Sequence, residues 1–81
     1  MKLIQLIKRD KARIEQTRTI AKIHISGAAY HSLLKDPPLG DYNAEHNTLL
    51  GCPLVIHTGQ VAAYWFEDVN GQRVEASGAY L

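Results

Sequence analysis

His46, Cys52 and His57 are the side chains whose types and spacing come closest to a metal site. Asp41 and Glu45 precede them, and His24 and His31 stand further off. Structural zinc sites use tight pairs such as Cys-x2-Cys or His-x3-His. Here five residues separate His46 from Cys52 and four separate Cys52 from His57. The simpler reading is a small buried thiol at a strand entry and a histidine at a strand end, so no metal and no cofactor are expected. A Cys52–His57 nucleophile pair would need the two side chains within hydrogen-bond reach. An extended segment over 53–57 holds them too far apart. Asp36, Asp41 and Glu45 are acids without a partner base, and Gly40, Gly51 and Gly59 match no phosphate-binding loop. The expectation is a protein that is not an enzyme.

Charge offers a second route to function. Residues 1–24 carry seven basic side chains (Lys2, Lys8, Arg9, Lys11, Arg13, Arg18, Lys22) against Asp10 and Glu15. The remainder carries Lys35 and Arg73 against six acids, so a net charge of +1 conceals two unlike halves. Lys8, Arg9, Lys11, Arg13 and Arg18 are therefore candidate phosphate contacts for a nucleic acid, whose attraction would be salt-dependent. The bland alternative is a solvated helix face. No helix-turn-helix, zinc finger or aromatic RNA-reading motif accompanies the basic residues, which leaves nucleic acid as the second choice of partner.

The elements that must position these groups are legible to different degrees. Eighty-one residues with 46% apolar and 21% charged composition fit one domain spanning 1–81, rather than a disordered chain. No apolar run is long enough to span a membrane. One cysteine excludes an internal disulfide and fits a reducing cytoplasm. A small core without staples also favours completion by a partner chain, a homodimer included. Residues 2–16 place Leu3, Ile7 and Ile14 on one helical stripe, and helix is preferred over a strand pair there. The stretch 18–25 alternates as a half-buried strand. Ser26 is an N-cap for a short helix over 27–35 that ends before Pro37, with Ala29 and Leu33 facing the sheet. Residues 36–52 read as a long connection with room for a helical turn, and Pro53 opens a strand to His57.

The strongest local signal is Val61–Ala76, which holds the only Trp and the only Phe. Asp68 and Gly71 suit the first and fourth positions of a type I turn, with Gly71 left-handed in a G1 bulge. This register opposes Asp68 to Gln72, Glu67 to Arg73, Phe66 to Val74, Trp65 to Glu75 and Tyr64 to Ala76. Tyr64, Phe66 and Val74 then share one face, while Trp65, Glu67, Arg73 and Glu75 share the other. A two-residue turn at Asn70-Gly71 would mix the faces. The predicted fold is α+β: a small antiparallel sheet, with a meander over 53–76 plus the strand 18–25, and one or two short helices on one face.

Trp65 thus falls on a charged face beside an expected Glu67–Arg73 pair, either covered by a helix or exposed. Aromatic and arginine side chains dominate binding energy at interfaces. Trp65, Glu67, Arg73, Glu75 and the loop residue Tyr42 are accordingly the candidate contacts for a protein partner, with Tyr80 a further aromatic. In its size, its Met-Lys-Leu-Ile start and its lack of enzyme motifs, the chain looks like the small accessory proteins encoded by bacteriophages. Among these, the anti-CRISPR proteins plug a surface of a host complex. The resemblance implies docking onto, and inhibition or modulation of, a host protein complex. Such mimics often use acidic patches, for which Asp36, Asp41, Glu45, Glu67, Asp68 and Glu75 are the candidates. No motif is shared, so no site residue is carried over.

Overall fold

Among the described residues, every long alternating segment lies on a single mixed sheet with two helices on one side. The computed structural model describes residues 3–35, 42–59 and 61–75. Their order is α1 (Leu3–Ile14), β1 (Ile20–Ser26), α2 (Gly27–Lys35), β2 (Tyr42–Asn43), β3 (Thr48–Leu49), β4 (Cys52–His57), β5 (Tyr64–Asp68) and β6 (Arg73–Glu75). The strand order across the sheet is β2-β3-β4-β1-β5-β6. The α+β class holds, with a sheet that is mostly antiparallel.

Connectivity departs from the expected meander. β4 does not neighbour β5, because β1 lies between them, parallel to β4 and antiparallel to β5. Ile23 sits opposite Leu54 on one side and Phe66 on the other. The reason is burial: Ile23 and Ile25 are fully buried, and only a strand with neighbours on both edges keeps its backbone and its apolar face from water together. The strand also begins at Ile20 rather than at residue 18, and it carries a bulge between Ile20 and Lys22.

The helix over 3–14 forms, with Ile7 and Ile14 of the predicted stripe buried, Leu3 half-buried against the core, and Ile4 and Leu6 buried beside them. Asp10 lies on that same stripe and is 1% exposed, which the charge-rich sequence around it conceals. Its Oδ2 accepts the Tyr64 hydroxyl, Oδ1 has no hydrogen-bond donor, and the Arg9 and Arg13 Nε atoms stand 3.9 Å from Oδ1. Ser26 caps α2 as expected, its Oγ accepting the Ala29 N–H at 3.1 Å. Ala29 and Leu33 enter the core with Ile23, Ile25, Leu54, Tyr64 and Phe66.

The long connection, where the sequence leaves room for a helical turn, contains two short strands instead. Asn43 pairs with Thr48, and Asn43 Oδ1 accepts the Glu45 and His46 N–H groups, bending 44–47 as an Asx turn does. Leu49 pairs with Cys52 across a two-residue loop in which Leu50 and Gly51 both have positive φ, 53° and 81°. That is the type I′ geometry, comfortable for glycine and costly for leucine by about 1–2 kcal/mol. The bulged hairpin at the other edge follows its predicted register: Trp65 opposes Glu75, Phe66 opposes Val74 and Glu67 opposes Arg73. Gly71 has φ 80°, and its N–H donates to the Asp68 carbonyl at 3.0 Å. The pairing expected for Ala76 lies outside the described residues, as do Asp36, Asp41 and Tyr80.

Candidate functional site

Strand alternation sends Ile23, Ile25, Leu54, Tyr64 and Phe66 toward the helices and the intervening residues to the opposite face. Lys22, His24, Val55, His57, Trp65, Glu67, Arg73 and Glu75 therefore meet on one surface, across β4, β1, β5 and β6. No described helix packs there.

Trp65 is the centre of this surface. It is 7% exposed yet stands outside the cluster of core side chains, so other residues of its own face cover it. His24 lies directly opposite on β1 and stacks on the indole, 5.2 Å between centroids with an interplanar angle of 6°. His57 lies at 4.7 Å and 37°. The Arg73 guanidinium sits 4.3 Å from the ring centroid, a cation–π contact. Of the two alternatives for Trp65, cover is what the structure has, but by imidazoles and an arginine rather than by a helix.

A hydrogen-bonded line runs through the two histidines. His24 Nε2 meets Glu67 Oε1 at 3.1 Å, and His24 Nδ1 meets His57 Nε2 at 2.8 Å. A carboxylate only accepts, so His24 Nε2 carries a proton, and a single N–H must lie between the two rings. Lys22 adds a 3.9 Å contact to Glu67. The expected Glu67–Arg73 ion pair does not form, although their backbones are opposed: Arg73 pairs with Glu75 along its own strand, while Glu67 is engaged by His24 and Lys22.

Other candidates are scattered. Tyr42 lies on β2, at the far edge of the sheet from β6, and its hydroxyl bonds that of Tyr30 at 2.7 Å. That hydrogen bond, and burial after it, push the Tyr42 phenol above its usual value. Asp68, an expected acidic contact, is 3% exposed and belongs to the turn. Its Oδ1 accepts the Asn70 and Gln72 N–H groups at 2.9 Å each, and its Oδ2 accepts from Arg18 at 3.3 Å. Glu45 is exposed on the 44–47 bend. Of the basic candidates, Lys11 pairs with Glu15, Arg18 with Asp68, and Arg9 and Arg13 flank Asp10; Lys8 is exposed on α1. Cys52 and His57 sit at opposite ends of β4. Among the described residues, no three His, Cys, Asp or Glu side chains converge as a metal cage.

Cys52 is half-buried, its thiol 3.9 Å from the Ile20 carbonyl. Burial is the main effect and pushes the thiol above its usual value, with Lys11 opposing and Glu15 adding to it. Native Cys52 is expected to react with iodoacetamide about tenfold more slowly than in the urea-unfolded chain at the same pH. Equal rates would show that the thiol is not covered.

His24 and His57 were not legible as partners, because the parallel pairing that juxtaposes them is set by tertiary packing. Their shared parity with Trp65 was the available signal: His24 alternates with Ile23 and Ile25, as Trp65 does with Tyr64 and Phe66. No described helix is long and apolar enough to cross a membrane. No family model matches the sequence, and no curated protein or solved structure matches it either.

Proposed function

We propose that this chain is a small non-enzymatic binding protein that docks onto a protein partner through the face of its sheet opposite α1 and α2. The observation that carries the reading is the covered Trp65. An indole is buried on the face away from the core with the Arg73 guanidinium against its ring, and Trp and Arg are among the residues enriched at interfaces. Stacking and hydrogen bonding already hold His24, His57 and Arg73 in place, so little side-chain freedom remains to be lost on docking. Lys22 and Glu75 at the rim, about half exposed or more, supply charges of both signs for orientation. On this reading the chain works in a reducing cytoplasm. The partner is a host protein complex, as the likeness to small phage-encoded accessory proteins implies. The basic residues between Lys8 and Arg18 support nucleic acid less well, because Lys11 is paired with Glu15 and Arg18 with Asp68.

The test is capture from a host lysate at about pH 7.5 with immobilised protein, compared with a Lys22→Glu, Arg73→Glu, Glu75→Lys variant. For a standard interface, reversing three charges is expected to weaken retention of the specific partner at least about a hundredfold. A partner held equally by the variant, or the absence of any specific partner, would refute the proposal.

A further inference from the structure

The line Glu67–His24–His57 is more than a rim around the indole, because its proton count is limited by its geometry. With both rings neutral, His24 Nδ1 is bare and accepts the His57 Nε2 proton. One added proton is accommodated, since His24 then donates from Nδ1 to a bare His57 Nε2 while its other N–H stays on Glu67. A second added proton is not. Two N–H groups would then face each other across 2.8 Å with no acceptor between them, and two cations would stand with ring centroids 5.0 Å apart.

We infer that the His24–His57 pair is a proton-operated cover for Trp65, closed while one N–H lies between the rings and opened when both rings are charged. His57 is the ring that leaves, because Glu67 retains His24. The charged groups around the pair agree with this. Lys22 on β1 and Arg73 on β6 are positive and add to the repulsion. Glu67 is committed to His24 and Lys22, and Glu75 to Arg73. The face that α1 and α2 occupy is the opposite one. When His57 departs, Trp65 loses its 4.7 Å contact and one side of the indole meets solvent. The device concerns the docking face proposed above, but it is a property of the isolated chain, so its failure and that of the docking reading are separately visible.

Trp65 is the only tryptophan, so its fluorescence reports the cover directly. The acrylamide quenching constant is expected to rise about twofold from about pH 8 to about pH 5, the range in which histidines charge, with far-UV circular dichroism unchanged. His57→Gln should abolish the pH dependence, since glutamine can hydrogen-bond but does not charge. A flat constant in the folded parent, a rise accompanied by loss of circular dichroism, or the same rise in His57→Gln would overturn the inference. Should His57→Gln fail to fold, nitrogen-resolved NMR of the parent's imidazoles decides. Ring contacts between His57 and the Trp65 indole are expected at about pH 8 and are expected to be lost at about pH 5. Contacts that persist unchanged at about pH 5 would overturn it equally.

Discussion

Replacing Tyr64 by phenylalanine is expected to cost about 3 kcal/mol, the upper scale for leaving a buried polar group without its hydrogen bond. The hydroxyl of Tyr64 is the donor to Asp10 Oδ2, and Asp10 is 1% exposed with Oδ1 already lacking a hydrogen bond. The Arg9 and Arg13 guanidinium groups, roughly half exposed and 3.9 Å away, are too distant and too well hydrated to replace that bond. A domain of this size has on the order of 4–12 kcal/mol in total, so a melting temperature lower by about 15 °C is the readout. The loss shrinks in the double variant. Asp10→Leu combined with Tyr64→Phe removes both polar partners from a stripe that already holds Ile7 and Ile14, and should recover most of the loss. A Tyr64→Phe protein melting within a degree or two of the parent would refute the role of the pair.

Asp68 is the second residue on which a large effect is expected. Its carboxylate accepts two backbone N–H groups from the bulged turn and a bond from Arg18, while its own backbone N–H donates to the Gln72 carbonyl. Asp68→Ala should cost about 2–3 kcal/mol, because the Asn70 and Gln72 N–H groups lose their acceptor in a part-buried setting. Asp68→Asn keeps a carbonyl oxygen for both and should cost about 1 kcal/mol. Arg18→Ala should cost under about 1 kcal/mol, since that guanidinium is 42% exposed. Urea unfolding of the three variants ranks them, and a cost for Arg18→Ala as large as that for Asp68→Ala would mean that the ion pair, not the turn, is what matters.

How much of this was readable from the chain follows the range of the forces involved. The 64–75 hairpin was readable down to its register, because Asp68 and Gly71 fix the turn locally and the alternation around Phe66 penalises a slip. Helix α2 was readable from Ser26 and the proline stop. The insertion of β1 between β4 and β5 was not, because parallel pairing through a crossover has no local signal. The two-residue strands at Tyr42 and Thr48 were too short to show a period. Asp10 was read as one charge in a charged run, although its spacing from Ile7 and Ile14 placed it on the apolar stripe. At the candidate site, Trp65, Glu67, Arg73 and Glu75 were assembled correctly on one face. What covers Trp65 was not foreseen, since His24 and His57 reach it only through the sheet order.

The central position of β1 also governs how the molecule is put together in time. Its residues are made early, but both of its edges find partners only far downstream, Leu54 on one side and Phe66 on the other. Loops of that length must close before either pairing repays the lost chain entropy, which places this topology among slower-folding small domains despite its two helices. Until residues 64–68 leave the ribosome, Ile23 and Ile25 belong to a strand with an open edge, so a nascent chain arrested before Tyr64 holds an adhesive segment. Synthesis of the hairpin is therefore the event that closes the fold.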